Sequence, residues 1–556
     1  MQEVYNIAQI CARLGVKEAV MSPGSRCALL TLAFHRHPDI NETMVYDERS
    51  AAYTALGKSL ISKRPVVLTC TSGSAAANYL PAITEAYYQR IPLIILTADR
   101  PPEWTDQGDG QTIRQQGLYH NHIKKSYQLP VDTLHPDAKW QYRRTISEAI
   151  MLSKEAPQGP VHINVPVREP FYPGKDEVIT FDDNIRIIKE EPGTTQLASH
   201  EYFHLCQEAK KYERILIVAG QGCHAPDIRT HLEACQLPVV ADCIANLHSD
   251  INIVRHHDIF LLKANQEAYE QLKPDLVISF GNPVLSKALK HFFRHHQPKA
   301  HWHVEPSGTV PDTFQSLTRI VRSDVGHFFH QMNYASPDAE FLSNWLFEEN
   351  KANIYLNTFL QDIAFGELAA FQEIVNILPE NSVLHLGNSM PVRYANLFSW
   401  HKSVRVFANR GTSGIDGSLS TAVGSASADP AMHTIVLGDM SFFYDRNALW
   451  QQTLPDNLRI IVLNNGGGGI FNMIDGPSQL PEAADYFITK NHLSAKNTAN
   501  DFQLAYHKAT NRDELVHALN DFYAPSSKPK ILEVFTDNQN DAALFRSLKS
   551  LTGYGE

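Results

Sequence analysis

The peptide Leu437-Gly438-Asp439-Met440-Ser441 ends one apolar run, and Val462-Leu463-Asn464-Asn465-Gly466-Gly467 ends the next. Asp439 and Asn465 are 26 positions apart. Both runs are short and rich in branched aliphatic residues, as in strands buried within a parallel sheet. Because neighbouring parallel strands end at the same edge of a sheet, we expect this carboxylate and this amide to converge there. Each peptide alone also suits an ordinary turn, with Asp as a helix N-cap and Asn-Gly as a tight turn.

The two side chains are oxygen donors of the kind that Mg²⁺ prefers, and Mg²⁺ usually shares its coordination with phosphate oxygens. The glycines around them let the backbone approach a diphosphate closely and turn N–H groups towards it. The pair at this spacing is far more specific than either peptide alone. The sequence therefore predicts a site for a divalent cation and a diphosphate.

Short apolar runs alternate with helical patterns along the chain, which is typical of parallel sheets covered by helices on both faces. The predicted strands are residues 19–21, 65–70, 92–98, 161–167, 215–219, 238–241, 276–280, 301–304, 383–386, 404–408, 434–437, 459–463 and 531–535. A polar stretch at 172–199 is predicted to be a linker, and a polar segment at 335–365 to be helical. We expect an α/β fold of three doubly wound parallel-sheet domains, at residues 1–175, 195–340 and 360–556.

Composition excludes several classes of protein. The chain has 556 residues, of which 43% are hydrophobic and 20% charged, as in an ordinary globular protein of several domains. Its net charge of −11 argues against nucleic-acid and anionic-membrane partners. No apolar run approaches the roughly 18 residues of a membrane span. The start, Met1-Gln2-Glu3-Val4-Tyr5, lacks signal-peptide features, and the seven cysteines contain no CxxC pair. We therefore expect a cytoplasmic protein.

Gly438-Asp439-Met440, followed by Asn464-Asn465, resembles the diphosphate–metal motif of thiamin-diphosphate enzymes. The motif usually has glycine where Met440 stands, which leaves both ligands unaltered. The resemblance implies a pyrimidine-binding, a central Rossmann-like and a diphosphate-binding domain, with thiamin diphosphate and Mg²⁺ (or Mn²⁺) as cofactors. Glu48, in Asp47-Glu48-Arg49, matches the glutamate that activates this cofactor by sharing a proton with N1′ of its aminopyrimidine. Alone, Glu48 would equally suit a solvated acid at a helix start.

Seven further peptides carry a finer resemblance. They are Ser22-Pro23-Gly24-Ser25-Arg26, Asp47-Glu48-Arg49, Thr71-Ser72-Gly73-Ser74-Ala75-Ala76-Ala77-Asn78, Leu96-Thr97-Ala98-Asp99-Arg100-Pro101-Pro102, Gln111-Thr112-Ile113-Arg114-Gln115, Gly387-Asn388-Ser389-Met390-Pro391-Val392-Arg393 and Asn409-Arg410-Gly411-Thr412-Ser413-Gly414-Ile415-Asp416-Gly417. With these peptides the chain resembles the 2-succinyl-5-enolpyruvyl-6-hydroxy-3-cyclohexene-1-carboxylate (SEPHCHC) synthase family of menaquinone biosynthesis. The resemblance extends over almost the whole chain, strongly in the outer thirds and thinly in the middle.

The resemblance implies a transferase that decarboxylates 2-oxoglutarate and adds the succinic semialdehyde carbanion to isochorismate. Both substrates are dicarboxylates, and the planar fork of arginine binds two carboxylate oxygens at once. Arg393 and Arg410 would hold the succinyl carboxylate. The residues that would face isochorismate are Ser25, Arg26, Arg100, Gln111 and Lys287. The resemblance further implies a homodimer or homotetramer in which each active site is shared between subunits.

The cofactor residues implied by the resemblance lie mostly in the last third. Ile415 matches the apolar residue that props the cofactor in its bent shape, and it also suits an ordinary core position. The metal ligands would be Asp439, Asn465 and Gly467. The full cofactor-binding set is Glu48, Gly387, Asn388, Ser389, Met390, Gly414, Ile415, Gly438, Asp439, Met440, Ser441, Asn465 and Gly467.

Two other functions fit the motifs. An acetolactate-synthase-like thiamin enzyme would share Glu48, Asp439 and Asn465 without needing the arginines, and activity with pyruvate alone would favour it. A non-catalytic cofactor-binding or sensor protein would keep the fold, although intact Glu48 and metal ligands argue against it. A turnover assay with both proposed substrates distinguishes them.

Some signals stay ambiguous in the sequence. The four arginines also suit surface ion pairs, and Lys287 a surface helix. Gly220-Gln221-Gly222 is an incomplete dinucleotide fingerprint. His120 and His122 lie near Gln111, where some thiamin decarboxylases carry paired histidines, and in a chain with 26 histidines their position can be incidental.

Overall fold

The computed structural model describes residues 1–550 except 170, 175–177, 223–225, 249–250, 263, 334–337 and 474–475. Within these residues the chain forms three six-stranded parallel sheets, with helices between successive strands. The predicted α/β class with three sheets is confirmed. A search of the described helices finds none that is both long and apolar enough to cross a membrane.

The first sheet is built from the N-terminal third. Its strands are β1 (Glu18–Met21), β2 (Asn41–Met44), β3 (Val66–Cys70), β4 (Leu93–Asp99), β5 (Ser126–Gln128) and β6 (Val161–Pro166). Its helices are α1 (Gln2–Arg13), α2 (Ala28–His35), α3 (Glu48–Ser62), α4 (Ser74–Asn78), α5 (Leu80–Gln89) and α6 (Pro136–Lys154). The strand order is β2-β1-β3-β4-β6-β5, so the order reverses between β1 and β3.

The central sheet contains β7 (Ile215–Ala219), β8 (Val239–Ala241), β9 (Ile253–Val254), β10 (Leu276–Phe280), β11 (Ala300–Val304) and β12 (Arg319–Val321). Its helices are α7 (Ser199–Ala209), α8 (Pro226–Ala234), α9 (His257–Phe260), α10 (Gln266–Leu272), α11 (Lys287–His295) and α12 (Val325–Gln331). The order β12-β11-β10-β7-β8-β9 is that of a dinucleotide-type Rossmann sheet read from its far edge. The Rossmann-like prediction for the middle of the chain is confirmed.

The third sheet contains β13 (Val383–Leu386), β14 (Arg405–Ala408), β15 (His433–Gly438), β16 (Leu458–Asn464), β17 (Ala505–Ala509) and β18 (Lys530–Phe535). The helices around it are α14 (Glu367–Ile377), α15 (Met390–Ala395), α16 (Ser418–Ala428), α17 (Asp439–Tyr444), α18 (Ala495–Asp501), α19 (Arg512–Phe522) and α20 (Asn538–Ser550). The preceding helix, α13 (Ala339–Gln361), packs on α9 and α10 of the central sheet. The order β14-β13-β15-β16-β18-β17 repeats that of the first sheet, and it reverses between β13 and β15. Ligands of open α/β sheets bind at such reversal points, beyond the carboxyl ends of the strands.

Helices α3 and α16 pack directly on each other and join the first sheet to the third. Their backbones approach so closely that a Cβ on Gly57 would lie 2.0 Å from the carbonyl oxygen of Thr421. Tyr53 of α3 also donates a hydrogen bond of 2.6 Å from its hydroxyl to Asp416, just before α16. The helix that begins at Glu48 is therefore fixed against the third sheet of its own chain.

The two polar segments behave differently. The segment predicted to be helical contains α13, as expected. The predicted linker carries no helix or strand among its described residues before α7, but it is not detached. Ile179 and Ile185 are buried against the core of the first sheet, and Arg13 of α1 donates to the carbonyl of Ile185 at 2.7 Å.

Candidate active site

A cavity of about 430 Å³ opens at the carboxyl edge of the third sheet, beside the reversal point between β13 and β15. The loops after β13, β14, β15 and β16 all contribute to its wall. The predicted residues that line it are Asn388, Ser389, Met390, Arg393, Arg410, Ile415, Gly438, Asp439, Met440, Ser441, Asn465 and Gly467. The structure thus brings together almost all the residues that the sequence assigned to the diphosphate half of a cofactor site. Gly387 and Gly414 lie in the same loops.

Asp439 is the first residue of α17, directly after β15, and it is 2% exposed. Burial raises the pKa of its carboxyl to about 6. The side chain accepts hydrogen bonds from its neighbour's backbone, Met440 N–H, at 2.8 Å and from Asn491 Nδ2 at 3.2 Å. Within the described part of the chain it forms no ion pair with a lysine or arginine. A buried carboxylate without a cationic side chain suits a site that a metal ion neutralises.

Asn465 follows β16, so it stands on the strand next to that of Asp439, as the spacing predicted. Its Nδ2 donates to Glu367 Oε1 at 3.0 Å. Glu367 is the first residue of α14, is 3% exposed and also accepts from the hydroxyl of Tyr394 at 3.1 Å. Burial, together with nearby Asp541, raises the pKa of Glu367 well above its ordinary value. Asn465 Oδ1 accepts from Asn538 Nδ2 at 3.4 Å, so contacts at both ends of the amide fix its orientation.

Gly467 allows the backbone to pass where no side chain fits. Its φ is +154°, and a Cβ there would lie 2.6 Å from the carbonyl oxygen of Ile488. The N–H of Gly468 donates to that same carbonyl at 2.7 Å. The loop after β16 is therefore held tightly against the segment that closes the cavity, which is the kind of backbone cradle that a diphosphate requires.

Asn388 ties two loops of the cavity together. It is 2% exposed, and its Nδ2 donates to the carbonyls of Asn409 at 2.7 Å and Gly414 at 2.6 Å. Its Oδ1 accepts from Arg410 Nη1 at 2.8 Å. Ile415, next to this junction, is 38% exposed in the cavity wall. An apolar side chain left this exposed at a strand-end cavity suits contact with an apolar part of a bound molecule.

These features fit a divalent cation with a diphosphate. The donor set contains a desolvated carboxylate, an oriented amide and a glycine backbone at the ends of adjacent strands. Asp439, Asn465 and Gly467 would hold the metal, and the N–H groups of the loops after β13 and β15 would face the phosphates.

A second cavity, of about 220 Å³, shares Arg393 and Arg410 with the first. Lys287 and Lys290 at the start of α11 line it from the central sheet. Burial lowers the pKa of both arginines, and Arg410 lowers that of Arg393 further because the two positive charges repel. Closely spaced, poorly solvated cations of this kind suit an anionic ligand.

The remaining predicted residues lie at the carboxyl edge of the first sheet. Glu48 begins α3 behind the N-cap Asp47, and burial raises the pKa of its carboxyl. A raised pKa leaves Glu48 able to hold a proton, as the predicted role requires. Asn78, at the end of α4, forms a side-chain hydrogen bond with it.

Four predicted substrate residues are near Glu48's sheet edge, in the loops after β1 and β4. Arg26 is 8% exposed, lies 4.6 Å from the ring centroid of Phe171 and donates to the carbonyl of Val167 at 3.1 Å. Its pKa is lowered by burial and by the positive charge of Arg100. Arg100 itself is paired with Asp109. Ser25 shares a hydrogen bond with Tyr172, and Gln111 packs its backbone against Gly73.

Glu48 is not among the described residues that line the cofactor cavity of its own chain. Its neighbour Arg49 donates to the carbonyl of Tyr444 at 2.7 Å, and Asp47 accepts from Asn447 at 2.8 Å. Tyr444 ends the helix that Asp439 begins. The start of α3 is therefore docked at the opposite end of α17 from Asp439, about 8 Å of helical rise away.

Among the polar residues that sequence reasoning missed are Glu367 and Lys290, which line these cavities, and Asn491, which donates to Asp439. Glu367 is 98 positions from the amide that it orients, and no local motif marks it. The i, i+3 spacing of Lys287 and Lys290 was a signal that could have been used, because such residues share one face of a helix. His120 and His122 lie on one short 3₁₀ turn, where the ring of His122 packs near Tyr88.

The fold and the cavity define the class as the thiamin-diphosphate enzymes, and comparisons with known proteins agree. The family model "Thiamine pyrophosphate enzyme, N-terminal TPP binding domain" matches residues 4–118. The model "Middle domain of thiamine pyrophosphate" matches residues 208–386. The cofactor of this chain is therefore thiamin diphosphate.

Curated relatives narrow the class to one family. A SEPHCHC synthase of Cytophaga hutchinsonii is 45% identical over 99% of this chain and 98% of its own length. Synthases of the same name from Christiangramia forsetii and Flavobacterium johnsoniae are 38% and 35% identical, each over 98% of both chains. The chain belongs to the SEPHCHC synthase family of transferases, as the sequence motifs indicated.

Proposed function

We propose that the protein decarboxylates 2-oxoglutarate and adds the resulting four-carbon unit to isochorismate, giving SEPHCHC and CO₂, in menaquinone biosynthesis. The observation that carries this proposal is the pair of arginines, Arg393 and Arg410, that lines both the cofactor cavity and the neighbouring cationic cavity. An enzyme acting on pyruvate alone would have no distal carboxylate for these arginines to bind. The proposed domains are residues 1–175, 195–340 and 360–556, for the pyrimidine, central and diphosphate functions.

Thiamin diphosphate, when bound, supplies a nucleophilic carbon and accepts the electrons released when a 2-oxo acid loses CO₂. The chain's own residues do the rest. We assign Asp439, Asn465 and Gly467 to a Mg²⁺ or Mn²⁺ ion and the loops after β13 and β15 to the diphosphate. Glu48 would hold a proton on its carboxyl and would share it with a ring nitrogen of the cofactor, a role that its raised pKa favours.

The substrate residues act by charge. Arg393 and Arg410 orient 2-oxoglutarate by its distal carboxylate, so that its keto carbon faces the cofactor cavity. Ser25, Arg26, Arg100 and Gln111 at the first sheet's edge are assigned to isochorismate, together with Lys287 of α11. Arg26 supports this assignment because it is buried, while its Nε has no hydrogen-bond partner among the described residues. A carboxylate entering there would satisfy it.

The active site is proposed to be shared between two subunits of a homodimer or homotetramer. Two observations support this proposal. The start of α3, where Glu48 lies, is docked at the end of α17 that is farther from Asp439 of the same chain. Ile415 is exposed in the cofactor cavity. A two-fold dimer supplies Glu48 from the partner chain to each cavity. A cytoplasmic location is supported by the described cysteines, all of which are free thiols.

The main test is a turnover assay with purified protein, thiamin diphosphate and Mg²⁺. We expect isochorismate to disappear only when 2-oxoglutarate is also present. Pyruvate in place of 2-oxoglutarate should give no comparable reaction. Isochorismate left untouched by an enzyme that converts pyruvate would instead favour an acetolactate-synthase-like activity. No turnover with any substrate, despite bound cofactor, would favour a sensor protein.

Complementation tests the shared site. Glu48→Gln and Asp439→Asn proteins are each expected to be inactive, and they are unfolded and refolded together. Random pairing makes about half of the dimers hybrids, and each hybrid has one site with both lesions and one with none. Recovered activity should therefore approach about a quarter of wild type. Hybrids that form but stay inactive would reject the shared site.

A further inference from the structure

The cavity that contains Arg393 and Arg410 has a cation that the family motifs do not mark. Lys290 lies one turn after Lys287 on α11, and both line this cavity. The two lysines differ in burial: Lys287 is exposed, whereas Lys290 is partly buried. Burial lowers the pKa of Lys290, and the positive charges of Arg410 and Arg294 lower it further. Lys290 thus lies in the same cavity as both arginines and is electrostatically coupled to Arg410.

The acidic groups near Lys290 are already engaged by the fold. Asp258 lines the cavity, but its Oδ1 accepts the hydroxyl hydrogen of Ser286, the N-cap of α11, at 2.6 Å. Asp242 accepts from the backbone N–H of Leu285. Both carboxylates partly offset the repulsion at Lys290 and hold the start of α11 in place. The cavity still has more cations than acids, so it is prepared for a ligand that brings its own negative charge.

Apart from Lys549, which also lines the cavity, the rest of the cavity wall is apolar. Ile259, Leu262, Leu285 and Leu397 surround the charged groups. A short methylene chain ending in a carboxylate matches this combination, with the chain against the aliphatic wall and the carboxylate among the cations. That is the part of a 2-oxo dicarboxylic acid beyond its keto group.

From this arrangement we infer that Lys290, together with Arg393 and Arg410, binds the distal carboxylate of the 2-oxo acid and sets the preference for a dicarboxylic over a monocarboxylic donor. The inference rests on the proposed function and makes it more specific. It assigns Lys290 as a specificity residue. It also assigns Lys290 of α11 to the 2-oxo acid, which is the donor substrate.

The test compares two donors of equal chain length, 2-oxoglutarate and 2-oxovalerate, which has a methyl group in place of the distal carboxylate. The measured quantity is the ratio of their kcat/KM values, with isochorismate as acceptor. Lys290→Gln should lower this ratio about 10- to 100-fold, as expected for one lost charge-assisted contact. Lys290→Arg should restore most of it. Lys211→Gln, which removes an exposed lysine of the central third, should leave it unchanged.

Two further measurements separate the possible failures. The KM for isochorismate and the affinity for thiamin diphosphate should stay near wild type in Lys290→Gln, which shows that the fold is intact. A wild-type protein that does not consume isochorismate with 2-oxoglutarate would refute the proposed function. An active wild type whose donor ratio is the same in Lys290→Gln would refute the role of Lys290 alone.

Discussion

Replacing Asp439 by asparagine should change the stability of the cofactor-free protein and its affinity for the cofactor in opposite directions. Asp439 is 2% exposed, and burial raises the pKa of its carboxyl from 3.8 to about 6. A carboxyl whose pKa is raised by folding destabilises the folded state once it ionises. Its contribution to the free energy of unfolding is therefore favourable below the pKa that the carboxyl has in the unfolded state. That contribution is lost as the pH rises through the pKa that it has in the folded state. Asparagine has nearly the same shape and no charge to desolvate.

The size of the effect follows from the two pKa values. Relative to the asparagine variant, ionisation of Asp439 should lower the free energy of unfolding by about 1.6 kcal/mol at pH 5 and about 3 kcal/mol at pH 8. The difference in the free energy of unfolding between the two proteins should thus widen from pH 5 to pH 8. With Mg²⁺ and thiamin diphosphate present the order should invert, because ligand that binds only the folded wild type stabilises it by mass action.

The assay is thermal unfolding of the cofactor-free proteins at pH 5, 6, 7 and 8, repeated with cofactor. Asp429→Asn is the matched control, because this acid pairs with Arg405. Burial alone would raise the pKa of Asp429, but hydrogen bonds from Ala431 N–H and Arg405 outweigh it and hold the pKa below its ordinary value. The control should therefore be less stable than wild type at pH 8. A cofactor-free Asp439→Asn protein that is no more stable than wild type at pH 8 would refute the reasoning.

Three further substitutions test the site. Glu367→Ala removes the acceptor that orients the proposed amide ligand, and it should raise the Mg²⁺ concentration for half-maximal cofactor binding about 10-fold; an unchanged Mg²⁺ titration would contradict this. Gly467→Ala should abolish cofactor binding in calorimetry, since its Cβ would lie 2.6 Å from the carbonyl of Ile488; normal binding would show that the loop adapts. Arg393→Ala should raise the KM for 2-oxoglutarate more than that for isochorismate, and Arg26→Ala the reverse, each costing about 2–4 kcal/mol; equal effects on both substrates would contradict the assignment.

The sequence predicted the interior strands of each sheet and missed most of the edge strands. All thirteen predicted strands are present, with shifts of about one residue at their ends. The five unpredicted strands β2, β5, β9, β12 and β17 each lie at an edge of their sheet. Interior strands are covered on both faces and are largely apolar, as β7 is throughout, whereas β2 reads Asn-Glu-Thr-Met and is partly exposed. A hydrophobicity pattern has little to detect in such a strand.

The site could be predicted where its residues follow strands. Asp439 and Asn465 come together because adjacent parallel strands end at one edge, which a strand prediction is enough to reveal. Glu367 reaches the same place from the start of α14, and its position depends on how that helix packs. Lys290 became distinguishable from Lys287 only when the burial of α11 was known. Contacts that depend on the packing of distant helices are not encoded in a local pattern.

The order of strands in the two outer sheets adds a reason for a shared active site. Both sheets have the same order, and in each the candidate residues lie at the carboxyl edge, in loops after the strands that flank the reversal and after their neighbours. A cofactor that spans a pyrimidine half and a diphosphate half needs one such edge from each sheet, facing each other. In one chain, α3 packs along α16 and its start docks at Tyr444, at the far end of α17 from Asp439. A second chain related by a two-fold axis can present the missing edge to each cavity, and the same contact then completes both sites at once.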